Sequence, residues 1–291
     1  MQTLLESARK ICRRVKGAQF VIGVAPSISM EMMRRYLSGD AEVRAKVAET
    51  LARAHAAGVD RVVVVGTDAQ TSLEALALAN DASGPVEVVA TVGLHPHDAT
   101  QGVEQVAELA RAGSTKLVAI GECGLDYFYE HSPRDVQRRA FADQIALAHE
   151  LDLALVVHAR DAWDDLFEVL AIEGVPPRTV IHCFTGGPRE AEACLAMGCD
   201  LSVAGVVTFK NSGDLREAVK LTPLSRLHVE TDSPFLTPSP HRGKKNEPAH
   251  VSIVGEFVAE LLGVSAAELR NATSTNSARL FRWDRKTPVD Q

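Results

Sequence analysis

Four side chains of types that bind divalent metals stand at or just beyond the ends of four short apolar runs. They are Glu122, His158, His182 and Asp232. Two imidazoles and two carboxylates make a mixed nitrogen and oxygen ligand set, which suits Zn, Mn, Co or Fe and tolerates Mg at the carboxylates. A metal held by such a set lowers the pKa of a bound water and offsets negative charge on a phosphoryl oxygen. The residue types therefore predict a metal-dependent hydrolase, although each of them taken alone is also typical of a hydrogen-bonded polar residue inside a barrel.

Three further residues near these runs are candidates for substrate binding. His95 and His97 end the third apolar run, where they either contact substrate or a metal or only cap the loop. Arg160 stands two residues after His158, on the same face of an extended strand end. Its guanidinium could bind a phosphate through two parallel hydrogen bonds, or it could pair with a carboxylate.

A cationic stretch follows the last apolar run. It reads His241-Arg242-Gly243-Lys244-Lys245-Asn246 and lies in a chain that is acidic overall. Its place after the eighth run puts Arg242 and Lys245 near the same strand ends as the metal-binding residues, so we predict that they bind substrate phosphates. A solvated surface loop is the alternative.

The elements that position these residues follow from the alternation of short apolar runs with longer amphipathic stretches. We predict strands at Gln19–Ala25, Arg61–Gly66, Val86–Gly93, Leu117–Gly121, Leu153–His158, Thr179–Cys183, Asp200–Ala204 and Arg226–Glu230. Several are continuously apolar, as strands covered on both faces require. Eight strand-helix units over about 250 residues predict an α/β fold, a single-domain (β/α)8 TIM barrel whose active site lies at the C-terminal strand ends. An open doubly wound sheet is the alternative, but no Gly-x-Gly-x-x-Gly follows the first run.

The helices are predicted between these strands, with one addition before them. The amphipathic stretches are Val43–Ala57, Pro133–Glu150, Asp161–Leu170, Pro188–Met197 and Asn211–Leu221. An extra helix, Met1–Lys16, precedes the first strand, and a loop, Thr237–Asn246, follows the eighth. No linker or charge block divides the 291 residues, so we expect one domain with an atypical segment at residues 1–38.

Composition restricts the function classes. The 31 basic and 38 acidic residues give a net charge of −7, which argues against a passive nucleic-acid coat protein. Aromatic residues make up 5% of the chain, too few for a single-strand binder built on many stacked bases. Five irregularly spaced cysteines, a charged N-terminal stretch and the lack of a run of about 20 apolar residues predict a cytoplasmic protein without membrane contact. The core is large enough for a monomer.

The motifs around these residues resemble the TatD family of metal-dependent deoxyribonucleases, which belong to the amidohydrolase-like barrels. The matching stretches are Val92–His97, Gly121–Tyr127, Val157–Ala162, Ile181–Gly186, Val206–Asn211, Glu230–Pro234 and Pro240–Pro248. They occur in the family's order, and seven ordered motifs are specific for the family, less so for one substrate. The resemblance implies a barrel that hydrolyses phosphodiester bonds in DNA with divalent metal ions.

The resemblance also implies roles for the four residues. Glu122 would bridge two ions, His158 and His182 would bind one of them, and Asp232 would complete the other. Asp232 would also orient or deprotonate the attacking water. Glu122 and Asp232 are therefore the expected catalytic residues, and Mg, Mn or Zn the expected metals.

One departure from the family affects this expectation. The family usually ends its first strand with Asp-x-His-x-His, whereas this chain has Val24, Ala25 and Pro26 there and no histidine before His55. We therefore predict one tightly bound ion and a second that is weak or absent, unless His95 or His97 replaces the lost ligands. The leading hypothesis is an exonuclease acting on DNA. The alternatives are a related metallohydrolase acting on a small ester or amide, and a catalytically impaired homologue.

Overall fold

Eight parallel strands form one sheet in this computed structural model, which describes residues 19–22 and 35–283. The strands are β1 (Gln19–Ile22), β2 (Val59–Val64), β3 (Glu87–Val92), β4 (Leu117–Asp126), β5 (Ala154–Arg160), β6 (Thr179–Ile181), β7 (Asp200–Val203) and β8 (Leu227–Val229). Each strand is hydrogen-bonded to the next in chain order. The two ends of this order, β1 and β8, contact each other, so the sheet curls round into the predicted (β/α)8 barrel.

Helices follow the strands as the periodicity predicts. They are α1 (Ala41–Ala56), α2 (Ala69–Asp81), α3 (Glu104–Arg111), α4 (Arg134–Leu151), α5 (Trp163–Glu173), α6 (Pro188–Ala196), α7 (Gly213–Leu221), α8 (Val251–Leu262) and α9 (Ala266–Phe281). Short 3-10 turns cover Pro96–Gln101, Gly205–Thr208, Leu224–Arg226 and Pro248–His250. The predicted helix Met1–Lys16 lies outside the described residues, as does most of the atypical segment 1–38.

The largest difference from the predicted strand boundaries is at β4. The strand does not end at Gly121 but continues to Asp126, and all ten of its residues are buried. Glu122 therefore lies inside the strand and not after it. The sixth and eighth strands end earlier than predicted, so His182 stands just beyond β6.

Alternation along the strands places apolar residues directly beneath the polar ones inside the barrel. Val118, Val156 and Val180 belong to one buried cluster, which Leu280 and Phe281 of α9 join. His158 and His182 lie two residues beyond Val156 and Val180, so their side chains lie on the same inner face. The barrel interior is thus apolar below and carries its imidazoles at the C-terminal strand ends.

Within the described part of the chain, no single helix has the length and apolar character needed to cross a membrane, although one bent pair, Pro248–Leu262 with Ala266–Phe281, meets those two requirements together. The predicted cytoplasmic location and monomeric state are not tested by these features and stay predictions.

Candidate metal centre

The register between β4 and β5 places one histidine between two carboxylates. Glu122, Gly124 and Asp126 alternate along one face of β4, and Gly124 pairs with His158 of β5. Gly124 has φ of +135°, and a Cβ on it would lie 2.0 Å from the His158 carbonyl oxygen. Only glycine fits this close approach of the two backbones. Because Gly124 has no side chain, the His158 imidazole faces Glu122 and Asp126, which flank Gly124 along β4.

Both nitrogens of His158 are engaged by these carboxylates. Its Nδ1 lies 2.8 Å from Glu122 Oε1, and its Nε2 lies 3.1 Å from Asp126 Oδ2. Metal-binding histidines usually present one nitrogen to the ion and donate the other N–H to a carboxylate or carbonyl. Asp126 fits the second role, which leaves Nδ1 and Glu122 to face an ion together.

His182 also has a carboxylate beside one of its nitrogens, but a different one. Its Nδ1 lies 2.8 Å from Glu230 Oε1, while its Nε2 lies 3.8 Å from Glu122 Oε1 and 3.7 Å from Asp232 Oδ1. Glu230 is fully buried. Its position is fixed because Oε1 accepts a hydrogen bond from the Cys183 backbone N–H at 2.9 Å and Oε2 accepts one from Ser202 Oγ at 2.5 Å.

Asp232 completes the group from the segment after β8. It adopts a left-handed backbone conformation with φ of +54°. Its neighbourhood is tied down by Asn246, whose Nδ2 donates to the backbone carbonyl of Thr231 at 2.7 Å and to that of Phe235 at 2.6 Å. The cationic stretch 241–246 is therefore anchored beside Asp232.

The four predicted ligands lie together at the C-terminal ends of the strands. Donor atoms on one ion with bonds of about 2.1 Å lie roughly 3.0–3.5 Å apart. The Glu122–His158, Glu122–His182 and His182–Asp232 separations of 2.8, 3.8 and 3.7 Å are close to this range. The donor set and its spacing thus fit a divalent metal. The individual roles of these residues stay predictions.

The charges of the site are strongly coupled. Burial alone would raise the pKa of Glu122, but His182 and His158 hold it well below its usual value. Burial would lower the pKa of His182, yet Glu230, Glu122 and Asp232 raise it to about 10. Burial raises the pKa of Asp232 to about 7, against the opposing effect of His182. In the ion-free protein, protons on the imidazoles therefore balance the buried carboxylates, and a metal ion would replace them.

His95 lies next to the site, but in the ion-free protein the nitrogen that faces the site carries the proton of the ring. Its Nε2 is 3.7 Å from Glu122 Oε1, so His95, Glu122 and His158 form a group of three nearby donors. However, its Nδ1 accepts the backbone N–H of His97 at 3.2 Å, and burial lowers its pKa to about 3. The neutral ring therefore carries its proton on Nε2, which makes that nitrogen a hydrogen-bond donor.

The other predicted substrate-binding residues lie at the C-terminal strand ends or in the segments that follow them. His97 Nε2 lies 3.0 Å from Asp126 Oδ2, so this ring is held by the carboxylate that also holds His158. Arg160 packs its guanidinium over Phe128 rather than on a carboxylate. Arg242 and Lys245 are exposed, and the Arg242 guanidinium carbon lies 3.6 Å from the centre of the Phe209 ring. Their binding roles stay predictions.

Sequence reasoning missed three residues at the centre. Asp126 and Glu230 occur in the quoted motifs but received no role, although each positions an imidazole. Cys183 also received no role, yet its sulfur lies within 4.8 Å of donor atoms of His182 and Asp232. In the ion-free protein, burial, followed by Asp232, raises the pKa of the Cys183 thiol. The motif spacing could have indicated Asp126, since it lies four residues after Glu122 on an extended strand.

The first-strand positions cannot be compared with the family's histidine pair, because Val24, Ala25 and Pro26 lie outside the described residues. In the described part of the chain, candidate metal-binding side chains form two groups. One comprises His95, Glu122 and His158, and the other comprises His182, Cys183 and Asp232.

Comparison with known proteins agrees with the motifs and the fold. The family described as TatD related DNase matches residues 38–282. An uncharacterized metal-dependent hydrolase of Bacillus subtilis, YabD, is 43% identical over 239 residues, which cover 80% of this chain and 92% of that protein. A 3'-5' ssDNA/RNA exonuclease, TatD of Pectobacterium parmentieri, is 38% identical over 242 residues, covering 80% of this chain and 92% of that protein.

A solved structure gives the same picture. The TatD homologue YJJV of Escherichia coli superposes with a TM-score of 0.80 at 27% identity, covering 91% of this chain and 98% of that one. The family match spans most of the chain. The Bacillus and Pectobacterium relatives are 43% and 38% identical to this chain, each over 80% of its length. This chain therefore belongs to the TatD-related family of metal-dependent hydrolases.

Proposed function

We propose that this protein is a metal-dependent deoxyribonuclease that hydrolyses phosphodiester bonds of single-stranded DNA from a chain end. The observation that carries the proposal is the grouping of Glu122, His158, His182 and Asp232 at one opening, with a further buried carboxylate beside one nitrogen of each imidazole. The TatD relative of Pectobacterium, described as an exonuclease on single-stranded DNA and RNA, supports the substrate class.

Each residue has a part in this proposal. Glu122, His158 and His182 would hold one ion tightly, which would lower the pKa of a water and offset charge on the phosphoryl oxygen. Asp232, at the edge of the group, would orient the attacking water and accept its proton. His95 would donate its Nε2–H to a phosphate oxygen, in keeping with a single tight ion and a second ion that arrives with substrate.

Phosphates on either side of the reacting bond would meet the cations at the opening. Arg160 from β5 and Arg242 and Lys245 from the anchored stretch 241–246 are the candidates. They supply local positive charge in a protein with a net charge of −7, so an acidic chain can still attract a polyanion.

The test is hydrolysis of end-labelled single-stranded DNA with Mg or Mn, and with EDTA, alongside metal analysis of the purified protein. We expect metal-dependent release of short products from one end, and a matched RNA strand shows whether RNA is also cut. Hydrolysis of a small ester or lactone without any cleavage of nucleic acid would favour the alternative metallohydrolase. Bound metal with no hydrolysis of either substrate would indicate an impaired homologue.

A further inference from the structure

A cluster of exposed aromatic rings lies beside the metal centre and takes no part in the chemistry proposed above. Phe128 and Tyr129 are 56% and 50% exposed, which is unusual for large aromatic side chains. Their rings meet edge to face with centroids 4.8 Å apart. The Arg160 guanidinium carbon lies 4.1 Å from the centre of the Phe128 ring and 4.7 Å from that of Tyr129. We call Phe128, Tyr129 and Arg160 the aromatic platform.

One carboxylate fixes the platform relative to the metal centre. Asp126 Oδ1 accepts the backbone N–H groups of Phe128 and Tyr129, each at 3.0 Å. The other oxygen of Asp126, Oδ2, lies 3.1 Å from His158 Nε2. The buried Asp126 carboxylate therefore holds both parts. One of its oxygens holds the turn that carries the rings, and the other holds the His158 imidazole of the candidate metal centre.

A continuous path of ring contacts joins the two places. The ring of His95 is 4.6 Å from that of His158 and 4.4 Å from that of His97, between centroids. The His97 ring in turn lies 5.5 Å from the Tyr129 ring, which stacks on His131 with an interplanar angle of 6°. The platform is thus the outward end of a packed row that begins at the metal centre.

The charge on the platform points to an anionic ligand with a flat face. Within residues 35–283, Arg160 forms no ion pair with a carboxylate, so its N–H donors remain available beside the rings. Stacked guanidinium groups keep their edge donors for hydrogen bonds to phosphate. Exposed Phe128 offers a π-face, and Arg160 offers positive charge next to it, which is the combination that a nucleotide matches.

We infer that the aromatic platform binds an unpaired nucleobase, stacked on Phe128, while Arg160 contacts the adjoining phosphate. This inference rests on the proposed nuclease function and specifies its substrate, because only an unpaired, splayed base has a free face to stack. A single platform next to the reaction centre also agrees with the low aromatic content of the chain, which excludes a long row of stacking sites.

The test measures binding and cleavage with short single strands in which one nucleotide at a time is abasic. Binding is followed by fluorescence anisotropy with Mg present, on phosphorothioate-linked pentanucleotides that resist hydrolysis. One stacked base corresponds to roughly 5- to 160-fold in affinity. We expect wild type to lose about tenfold when one particular position is abasic, and to be insensitive at others.

Variants assign this preference to the platform. Phe128→Ala should reduce the preference for the base at that position to about twofold or less, and Phe128→Trp should retain it, because tryptophan keeps a stacking face. Ile172→Ala is the matched control, since Ile172 is a 68% exposed apolar side chain near the C-terminal end of α5. Since Phe128 is exposed, its truncation removes little buried surface, and circular dichroism checks the fold.

The outcomes separate this inference from the nuclease proposal. Equal binding of abasic and intact strands at every position would overturn the platform, even if cleavage of DNA is metal-dependent. A base preference that Phe128→Ala removes, in a protein that cleaves no DNA, would keep the platform and contradict the proposed nuclease function. Self-association that Phe128→Ala abolishes, without any base preference, would assign the rings to a second copy of the chain and overturn the inference.

Discussion

Individual side chains in the candidate metal centre divide, in the proposed function, into those that would face an ion and those that would orient them. Glu122, His158, His182 and Asp232 converge, while Asp126 lies beside His158 Nε2 and Glu230 beside His182 Nδ1. The proposed division of labour predicts different consequences when a facing residue and an orienting residue are changed.

Asp232→Asn tests the role of the carboxylate in activating water. The amide keeps the size of the side chain but cannot accept a proton, so turnover should fall by about 10²- to 10⁴-fold at saturating metal. Initial rates on labelled single-stranded DNA provide the measurement. Asp143→Asn, on the exposed face of α4, is the control and should cleave like wild type. Near-normal turnover by Asp232→Asn would show that another group activates the water.

Glu230→Gln tests the orienting role. The amide can no longer balance the charge on the His182 imidazole, so metal affinity should weaken by about 10- to 100-fold. Competition with a chromophoric chelator measures the affinity directly, without reference to activity. Glu192→Gln, an exposed residue of α6, is the matched control. Unchanged affinity in Glu230→Gln would mean that His182 does not bind the tight ion.

Strands and loops place these groups at distances that side chains alone could not set. β4 and β5 approach so closely because Gly121 and Gly124 lack side chains and adopt φ of +138° and +135°. The stretch 241–246 is held to the end of β8 by Asn246. Both elements carry predictions of their own.

Gly124→Ala should damage the pairing of β4 with β5. Its new Cβ would collide with the His158 carbonyl and force a left-handed backbone onto alanine. We expect a loss of at least about 2 kcal/mol in the free energy of unfolding, measured by urea denaturation. Gly213→Ala is the control, because nothing lies within 4 Å of its added Cβ and its φ is not positive. A wild-type unfolding midpoint for Gly124→Ala would contradict the close packing.

The anchored cationic stretch should set the salt dependence of DNA binding. Lys244 and Lys245 are exposed, and each phosphate contact contributes about 0.7 to the slope of log K against log salt for single strands. Replacing both with alanine should therefore reduce the slope by about 1.4. The double variant of Lys46 and Lys220, exposed lysines of α1 and α7, should leave the slope unchanged. An unaltered slope in the Lys244 and Lys245 variant would make the stretch a solvated loop.

The two ends of the barrel carry different polar groups. The candidate metal ligands lie at the C-terminal end, and a buried hydrogen-bonded network lies at the N-terminal end. At the N-terminal end, Asp200 accepts hydrogen bonds from Arg226 at 2.8 Å and Arg279 at 2.6 Å, and its Oδ2 lies 3.0 Å from His228 Nε2. Ser277 Oγ lies 3.0 Å from His228 Nδ1. Serine, histidine and aspartate thus adjoin, but all three are buried, so no substrate reaches them and the network is structural.

Asp200→Asn should therefore lower stability and leave the metal centre intact. Breaking a buried ion pair costs about 3–5 kcal/mol, and the partly exposed arginines place this case at the lower end. Burial would raise the pKa of Asp200, but His228, Arg226 and Arg279 lower it overall. Its stabilising effect is therefore complete above the unfolded pKa of about 3.9 and is lost as the pH falls through the lower folded value.

Urea unfolding at pH 7 and near pH 3 measures this contribution. We expect the difference between wild type and Asp200→Asn to be large at pH 7 and to shrink in acid, while chelator competition gives wild-type metal affinity. A difference that grows on acidification would have the wrong sign for a carboxylate with a lowered pKa. Weakened metal affinity would show that the two ends of the barrel are coupled.

The number of strands, their order and the polar residues at their ends could all be predicted from the sequence, because apolar runs and their limits are local properties of the chain. Eight predicted strands correspond to β1–β8, and the family motifs identify the same strand ends. The continuation of β4 through Asp126 could not be predicted, since Gly121 and Gly124 read as strand breakers until β5 is seen beside them.

Only the tertiary structure shows which carboxylates contact which imidazoles. The register of β4 against β5 puts His158 between Glu122 and Asp126, and the approach of β8 to β6 puts Glu230 behind His182. Arg160 meets Phe128 because β4 and β5, consecutive strands joined by α4, end side by side. These pairings depend on distances between strands, which cannot be derived from the order of residues along the chain. The chemistry of the donors, in contrast, follows directly from the residue types. The metal-binding residue types are therefore visible in the sequence, and their orientation is visible only in the folded barrel.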